Sequence, residues 1–556
     1  MEILKGFPST SQDDYQLNIT AIIKNAARNF GSQSLVVMKP DGAAFSYTYT
    51  EAYERIKRLA NALNKLGIAP GDRIGVLDWN TNRHYELYFG IPGTGAVLLQ
   101  MNMRLTSQEL IYIAKHSGAK LIFVDKSLIH IAEAISSELK SVIGYVIMTD
   151  GKLTDIETRL EPIYSYEDLL NEAKAEYEWP MIDEQSTYAA CYTSGTTGKP
   201  KGVYYSHRNI YLHTLQVALS YEFTDRDSLL LLTPMFHAMG WGFPQISALV
   251  GARLALAGRY SLEDFGPIIE LMEKEKVTFV GGATIVFMAM LEYIRNMKKK
   301  PDFSGVRFLS GASEPPPSMI KGYYEITGAD VYQAWGATET TPFVTINRLR
   351  PSLKEKLTEE ELWKYKSKHG YVLPGIDLKI VDEVDEELPH DGESVGEILV
   401  RGPWVAGSYF NAPGTESQFT DDGYWKSGDV GSIDPQGYLK MVDRVKDLIK
   451  SGGEWISSVD MENEIMRHPG VLEATVIGVP HPKWEERPMA FVILKKAFEE
   501  NVRKDDIVDH LSKVFSKWQL PDRIEFVDEI PKTSVGKFNK KILKEKYRDI
   551  LNEGNY

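Results

Sequence analysis

The chain has 556 residues, more than one hydrophobic core serves, so two or more domains are expected. Hydrophobic residues make up 43% and charged residues 25%, the balance of a soluble globular protein, and the net charge of −14 argues against nonspecific binding to nucleic acid or to an acidic membrane surface. The single cysteine, Cys191, leaves no intrachain disulfide and no cysteine-based zinc site, which fits a cytoplasmic chain.

The opening residues MEILKGFPSTSQDDYQLN have no basic flank before an apolar core, so no signal peptide is read there. No apolar run approaches the roughly 18 residues of a membrane span. SLVVM and FSYTYT read as strands. YTEAYERIKRLANALNKLG has apolar residues at helical spacing and a glycine stop. DRIGVLDW reads as a strand, and ELYFGIPGTGAVLLQM as a buried helix running into the next strand. AKLIFVD and VIGYVIMTD are further strands, and VTFVGGATIVFMAML is a buried strand-and-helix piece. Strands separated by helices of this length imply crossover units and a largely parallel sheet.

After about residue 370 the texture changes to short strands with glycine turns: GIDLKIVDE, GEILVRGP and GYLKMVDRVKDLIKS. Beyond DRVKD comes a smaller unit with the pattern helix, strand, strand, helix, strand and basic tail, the size of an α+β domain. Seven basic residues lie between Lys532 and Arg548. The expected division is 1–443 as a large α/β domain with a small β-rich part, 444–447 as a hinge, and 448–556 as a small, mobile α+β domain.

The segment YTSGTTGKPKGV, 192–203, carries the strongest chemical signal. Thr193, Ser194, Thr196 and Thr197 supply hydroxyl donors, Gly195 and Gly198 allow close backbone approach, and Lys199 and Lys201 add charge. It is not a Walker loop. Two residues rather than four separate those glycines, and Lys199 precedes a proline, which biases it away from helix. An anion-binding loop after an apolar strand is the reading; the alternative is a surface turn.

This segment resembles the signature of the adenylate-forming superfamily, which includes acyl-CoA synthetases, luciferases and peptide-synthetase adenylation domains. Seven more segments stand in that family's order: PMFHAMGWG, SGASEPP, QAWGATET, GEILVRGP, YWKSGDVG, DRVKDLIKSGGEWIS and PKTSVGK. Their flavour is similar to medium- and long-chain fatty-acyl-CoA synthetases. The resemblance implies ATP, Mg²⁺ and coenzyme A as the small molecules, a carboxylic acid as substrate, and a homodimer as a common assembly.

By that resemblance, the 192–203 loop holds the β- and γ-phosphates, and Thr193 and Glu339 sit at Mg²⁺. Thr338 contacts the α-phosphate. Gly311, Ala312 and Ser313 lie against adenine, with Gln333, Ala334, Trp335 and Gly336 opposite. Asp429 takes the ribose hydroxyls, and Arg444 reaches the ribose. Lys537 bridges the substrate carboxylate and the α-phosphate. His237, Ala238, Gly240 and Trp241 line the acyl site. Lys446 is the turning residue, and Lys450, Gly453 and Trp455 serve the nucleotide or pantetheine side after domain rotation. Bland alternatives stand beside these. Glu339 could be a helix-starting acid, Asp429 a turn residue, Arg444 a surface ion pair, His237 a core histidine and Lys537 a solvated lysine. The segment 234–242 has no acid, unlike that of amino-acid-activating relatives, which favours a simple carboxylic acid. The chain ends about 20 residues after Lys537, which is read against a fused carrier; transfer to a separate carrier, or ligation of short, hydroxylated or aromatic acids, stays open.

Overall fold

The computed structural model describes residues 4–12, 14–39, 41–193, 199–452, 454–533, 537–548 and 550. Local signals in the sequence start and stop its elements. Helix Tyr49–Lys65 begins in a capping box: the Thr48 hydroxyl accepts the Glu51 N–H, and the Glu51 carboxylate accepts the Thr48 N–H. Thr48 therefore ends the strand before it, and FSYTYT is extended only through Thr48, in strand Ala44–Thr48. Gly67, with φ +75°, stops the chain beyond the helix.

Three sheets organise the chain. The first has seven strands, in the order Ile163–Ser165, Tyr145–Met148, Ala119–Asp125, Arg73–Leu77, Val97–Gln100, Thr187–Tyr192 and Gly202–Ser206. All neighbours are parallel except the last pair, which is antiparallel. The second sheet has thirteen strands and changes character along its width. Strands Ser34–Met38, Arg253–Leu256, Ser228–Leu231, Phe279–Ala283, Arg307–Gly311 and Asp330–Gly336 are parallel neighbours. From there the sheet continues antiparallel through Phe343–Ile346, Gly370–Val372, Tyr438–Arg444, Trp425–Ile433, Gly396–Arg401 and Asp377–Val381. Helices bury the parallel parts, whose central strands are buried throughout: Val97–Gln100 and Ser228–Leu231 have no exposed residue. The antiparallel part is the region where short strands and glycine turns were expected.

A third, five-stranded sheet belongs to the C-terminal part. The chain leaves the second sheet at Arg444, turns through 445–447, and enters the third at Ile449. Helices Ser458–Arg467 and Lys504–Leu511 share the core of this smaller unit. Among the described residues, no helix is long and apolar enough to cross a membrane.

In open α/β sheets, loops at the carboxyl ends of parallel strands converge on one side and form ligand sites. Here the strands ending at Leu231, Ala283, Gly311 and Gly336 are immediate neighbours, so the segments that follow them are brought together. Those segments include His237, Ala312 and Glu339.

One glycine of the antiparallel part is held by both conformation and space. Gly370 has φ +86°, and a Cβ there would lie 1.8 Å from the Ile346 carbonyl oxygen. Gly67 has φ +75° but open space around it. Gly67→Ala should therefore cost about 1 kcal/mol, and Gly370→Ala about 3 kcal/mol or more, measured by denaturant unfolding. Equal losses would show that the backbone at 370 moves away without cost.

Candidate active site

The hydroxyl- and glycine-rich segment is the loop of a β-hairpin. Strands Thr187–Tyr192 and Gly202–Ser206 pair antiparallel, and the Thr193 N–H donates to the Lys201 carbonyl at 2.9 Å to close its base. Ser194, Gly195, Thr196, Thr197 and Gly198 lie outside the described residues, as does Gly453. The two lysines differ in setting. Lys199 Nζ stands 5.3 Å from the centre of the Tyr112 ring. Lys201 Nζ donates to Gln418 Oε1 at 2.7 Å and stands 4.7 Å from the centre of the Tyr409 ring.

Tyr409 links this lysine to Glu339. Its hydroxyl donates to Glu339 Oε1 at 2.7 Å and accepts from Trp425 Nε1 at 3.2 Å. Glu339 is not an exposed helix-starting acid. It lies buried in the 3₁₀ turn Thr338–Thr340. Burial pushes its carboxyl above the ordinary range, against the Tyr409 hydrogen bond and the Lys201 charge. The Thr338 carbonyl accepts from the Tyr205 hydroxyl at 2.7 Å, which fixes the start of the same turn. Gly336 precedes it for a packing reason: a Cβ there would stand 1.7 Å from the Pro342 carbonyl oxygen.

Strand Asp330–Gly336 alternates faces, so Gln333 and Trp335 point to one side and Ala334 and Gly336 to the other. Side chains of Gln333, Ala334 and Trp335 thus cannot share one wall, as the sequence reading had it. With its amide turned so that both ends are satisfied, Gln333 donates to the Ser367 and Lys368 carbonyls and accepts from His369 Nε2. Trp335 Nε1 donates to Asp429 Oδ2 at 2.9 Å. Asp429 Oδ1 pairs with Arg444 Nε at 3.2 Å, and the two residues are direct cross-strand partners. Arg444 is therefore ion-paired across the sheet rather than with its sequence neighbours.

Lys537 comes to this seam from the far end of the chain. Its N–H donates to Thr533 Oγ1 at 3.2 Å, and its carbonyl accepts the Thr533 N–H at 2.7 Å. Desolvation lowers the Lys537 ammonium to about 8, helped by the Arg444 and Lys446 charges and opposed by Asp429 and Glu339. It is not a freely solvated lysine of the tail. Half-buried His237 faces the same charge: burial, with the Lys537 and Arg104 charges, lowers its imidazole to about 4. Arg104 carries no motif, and only its placement beside His237 reveals it.

The segment 238–242 has an unusual backbone. Ala238, Met239, Gly240, Trp241 and Gly242 all have positive φ, from +34° to +79°. A left-handed turn of L-residues costs roughly 1–2 kcal/mol for each non-glycine residue. Surrounding packing must supply that energy, and all five residues are buried. The turn aims the Trp241 indole at Gly311: a Cβ on Gly311 would lie 2.8 Å from Trp241 Cη2. The Phe343 ring stands edge-on to the same indole, with centroids 5.8 Å apart. Beyond Gly311, Ala312 has φ +73°, and the Ser313 carbonyl accepts from Thr284 Oγ1 at 2.5 Å.

Glu314, in the same segment, faces the small unit. Its Oε1 accepts from Asn463 Nδ2 at 3.2 Å, and its Oε2 is 3.9 Å from His369 Nε2. Burial pushes its carboxyl up to about 8; Asp460 and Glu462 raise it, and Lys440 and the Asn463 hydrogen bond oppose. Lys450 and Trp455 stand apart from the seam. Lys450 and Trp455 are cross-strand partners on a hairpin of the small sheet, with Nζ 5.4 Å from the centre of the half-exposed indole. Lys446 is exposed in the turn at 445–447. No group of three or more His, Cys, Asp or Glu side chains among the described residues could hold a metal ion.

Known proteins resemble this chain in sequence and fold. The AMP-binding enzyme family matches residues 23–410, and the AMP-binding enzyme C-terminal domain matches 460–537. The long-chain-fatty-acid–CoA ligase of Thermus thermophilus is 40% identical over 99% of this chain and 98% of its own. The medium-chain-fatty-acid–CoA ligase of Ectopseudomonas oleovorans is 36% identical over 96% of this chain and 97% of its own. Among solved structures, ATP-bound MatB from Rhodopseudomonas palustris superposes with a TM-score of 0.82 at 27% identity, covering 96% of this chain and all of that one. With the family matched across both its large and its C-terminal parts, this chain belongs to the AMP-binding enzymes.

Proposed function

We propose that the chain is an ATP-dependent acyl-CoA ligase acting on medium- or long-chain fatty acids. The observation that carries this reading is the seam itself. A desolvated Lys537, Arg444 and Lys446 meet Asp429 and Glu339 at one place, beside His237 and the segment that holds Trp241. A site of that composition suits an anionic reaction in which charge moves between a carboxylate and a phosphate.

In the first half-reaction, the carboxylate oxygen of the acid bonds to the α-phosphorus of ATP. The bond to the bridging oxygen breaks, and pyrophosphate leaves with the electron pair. Lys537 holds the two anions together and follows the charge as it shifts. In the second, the thiol of coenzyme A loses its proton and attacks the acyl carbon, and AMP leaves with the carboxyl oxygen. The loop 193–201, with Thr338, Gly311, Ala312 and Ser313, is the nucleotide's side of the site; Asp429 and Arg444 are the ribose's. Mg²⁺ fits here, because Glu339 is a buried carboxylate whose raised pKa a cation would relieve. Thr193 and Glu339 would hold it, and its chemistry is to neutralise phosphate charge. Glu339 also keeps the Thr338–Thr340 turn tied to Tyr409.

Lys537 and the hairpin that bears Lys450 and Trp455 belong to the same small domain, yet only Lys537 reaches the seam. We read this as the adenylating orientation, with 444–447 as the hinge and Lys446 as its turning residue. Rotation about it would exchange Lys537 for the Trp455 hairpin. A cytoplasmic homodimer is the setting the resemblance supports.

A second reading of the substrate rests on Trp241. Its ring sits against Gly311 and occupies space that a long acyl chain would need, which favours short or branched acids.

Three expectations follow from this site. Lys537→Ala should reduce acyl-adenylate formation, read as pyrophosphate release, by about a thousandfold or more, while thioester formation from supplied acyl-adenylate survives. Equal loss in both steps would remove Lys537 from the first. Trp241→Ala should extend the range of acids to longer chains in graded fashion, at roughly 1 kcal/mol per methylene, with ATP affinity unchanged. An unaltered chain-length profile would place Trp241 outside the acyl site.

The last concerns pH. Burial pushes the Glu314 carboxyl up to about 8 in this orientation, where it faces Asp460, Glu462, Asn463, His369 and Lys440. A raised carboxyl pKa stabilises the packed form fully below the ordinary carboxylate range. That stabilisation is lost as pH rises through about 8. Adenylation should fall over this interval in the wild type, and Glu314→Gln should flatten the fall. An identical profile in the variant would exclude Glu314 as its cause.

A further inference from the structure

Lys537 can act only if the small domain is held against the large one. The strongest polar contacts between the two parts lie one strand away, around Asp443. This residue is buried at the end of strand Tyr438–Arg444, paired with Val430 in the thirteen-stranded sheet. Its Oδ2 accepts the Ser458 N–H at 2.8 Å and also the Ser458 hydroxyl. Ser458 is the first residue of helix Ser458–Arg467. The preceding Ser457 caps that helix by accepting the Asp460 N–H, and its hydroxyl donates to the Val442 carbonyl at 2.7 Å. A large-domain strand end thus seats the start of a small-domain helix.

Lys540 completes the seat. Its Nζ donates to Ser458 Oγ and lies 2.7 Å from Glu462 Oε1, with both side chains almost fully buried. Glu462 is tied to the small sheet through Thr475 Oγ1 at 2.9 Å and the Val476 N–H at 2.8 Å. Burial opposes the Lys540 charge, but Glu462, Asp443 and Asp447 outweigh it. A buried cation between two carboxylates is costly to leave with one partner missing. Lys540 stands three residues after Lys537, and the chain between them pairs back on itself at Lys532 and Phe538. Nearby, Lys544 Nζ donates to the Lys446 carbonyl at 2.7 Å.

The contacts divide into two sets about the turn at 445–447. Lys540–Glu462 lies within the small domain and would survive its rotation. Asp443 lies before the turn, so its bonds to Ser458 and its charge on Lys540 exist in this orientation. We propose that Asp443 and Lys540 are positioning residues for adenylation: together they lock the orientation that delivers Lys537 to Asp429 and Glu339. Neither touches substrate.

The proposal rests on the two-step reading for its kinetic consequence, and not for its structural one, so the test has two arms. Asp443→Asn, Lys540→Met and the milder Ser458→Ala are made in the full chain. The same substitutions are made in a background with Asp225→Cys and Lys517→Cys, two exposed positions labelled for distance measurement. In substrate-free protein, Asp443→Asn and Lys540→Met should shift the label distances away from the wild-type distribution, with Ser458→Ala shifting them less. Pyrophosphate release should drop about tenfold or more, while thioester formation from supplied acyl-adenylate stays within about twofold, and Lys540→Arg should restore most of the loss. Unshifted distances in both Asp443→Asn and Lys540→Met would overturn the proposal whatever the rates. So would equal loss in the two half-reactions, which marks a general folding role. If wild-type protein released no pyrophosphate with any acid while the distances still shifted, the ligase reading would fail and the seat would stand.

Discussion

Two cations that repel each other are held at one seam, and the architecture of the site follows from the charges that make this tolerable. Lys537 is desolvated beside Arg444, and Asp429 and Glu339 supply the compensating field. Each of those carboxylates is itself fixed by neutral donors, Asp429 by the Trp335 indole and Glu339 by the Tyr409 hydroxyl. Such donors orient a carboxylate without discharging it, so both keep negative charge available to the cations. The seam needs strands from the wide sheet for its acids and the last segment of the chain for its lysine.

Much of this was legible in sequence because it is written in local pattern. Apolar strands alternating with amphipathic helices marked the parallel sheets, and Thr48 with Glu51 marked a helix start. The family resemblance singled out Glu339, Asp429, Arg444 and Lys537, which the fold brings into one electrostatic cluster. What escaped was fixed by partners distant in the chain. Tyr409 lies 70 residues from the Glu339 it orients. Arg104 has no motif around it and gains its place only through His237. The hairpin that carries the phosphate-type loop depends on an antiparallel pairing, which the reading of a largely parallel sheet did not place. Gly336 reads like a nucleotide contact, but the Pro342 carbonyl already requires it. Gln333 and Ala334 fall on opposite faces because a strand alternates, a rule the motif alone does not display.

The small domain presents two chemically different surfaces. One carries Lys537, Lys540 and the start of helix Ser458–Arg467 and is sealed against the large domain. The other carries Lys450 and the half-exposed Trp455. Glu314 lies in the SGASEPP segment but has no role assigned from sequence, and its raised pKa comes from burial where Asp460, Asn463 and Glu462 of the small domain face it. Packing between domains has therefore created a titratable group out of an ordinary surface acid.

The left-handed turn at 238–242 restricts how this family member can vary its proposed acyl wall. A backbone at φ near +56° excludes β-branched side chains far more strongly than unbranched ones, because both γ-substituents crowd the neighbouring carbonyl. Valine or isoleucine in place of Trp241 would break the turn before it reshaped any cavity. Graded tuning with branched aliphatics is closed at this position. Specificity drift would instead fall to Phe343, which faces the indole from a regular strand, because a Cβ on Gly311 would already lie 2.8 Å from the ring. The wall would thus evolve from its far side, around a fixed ring.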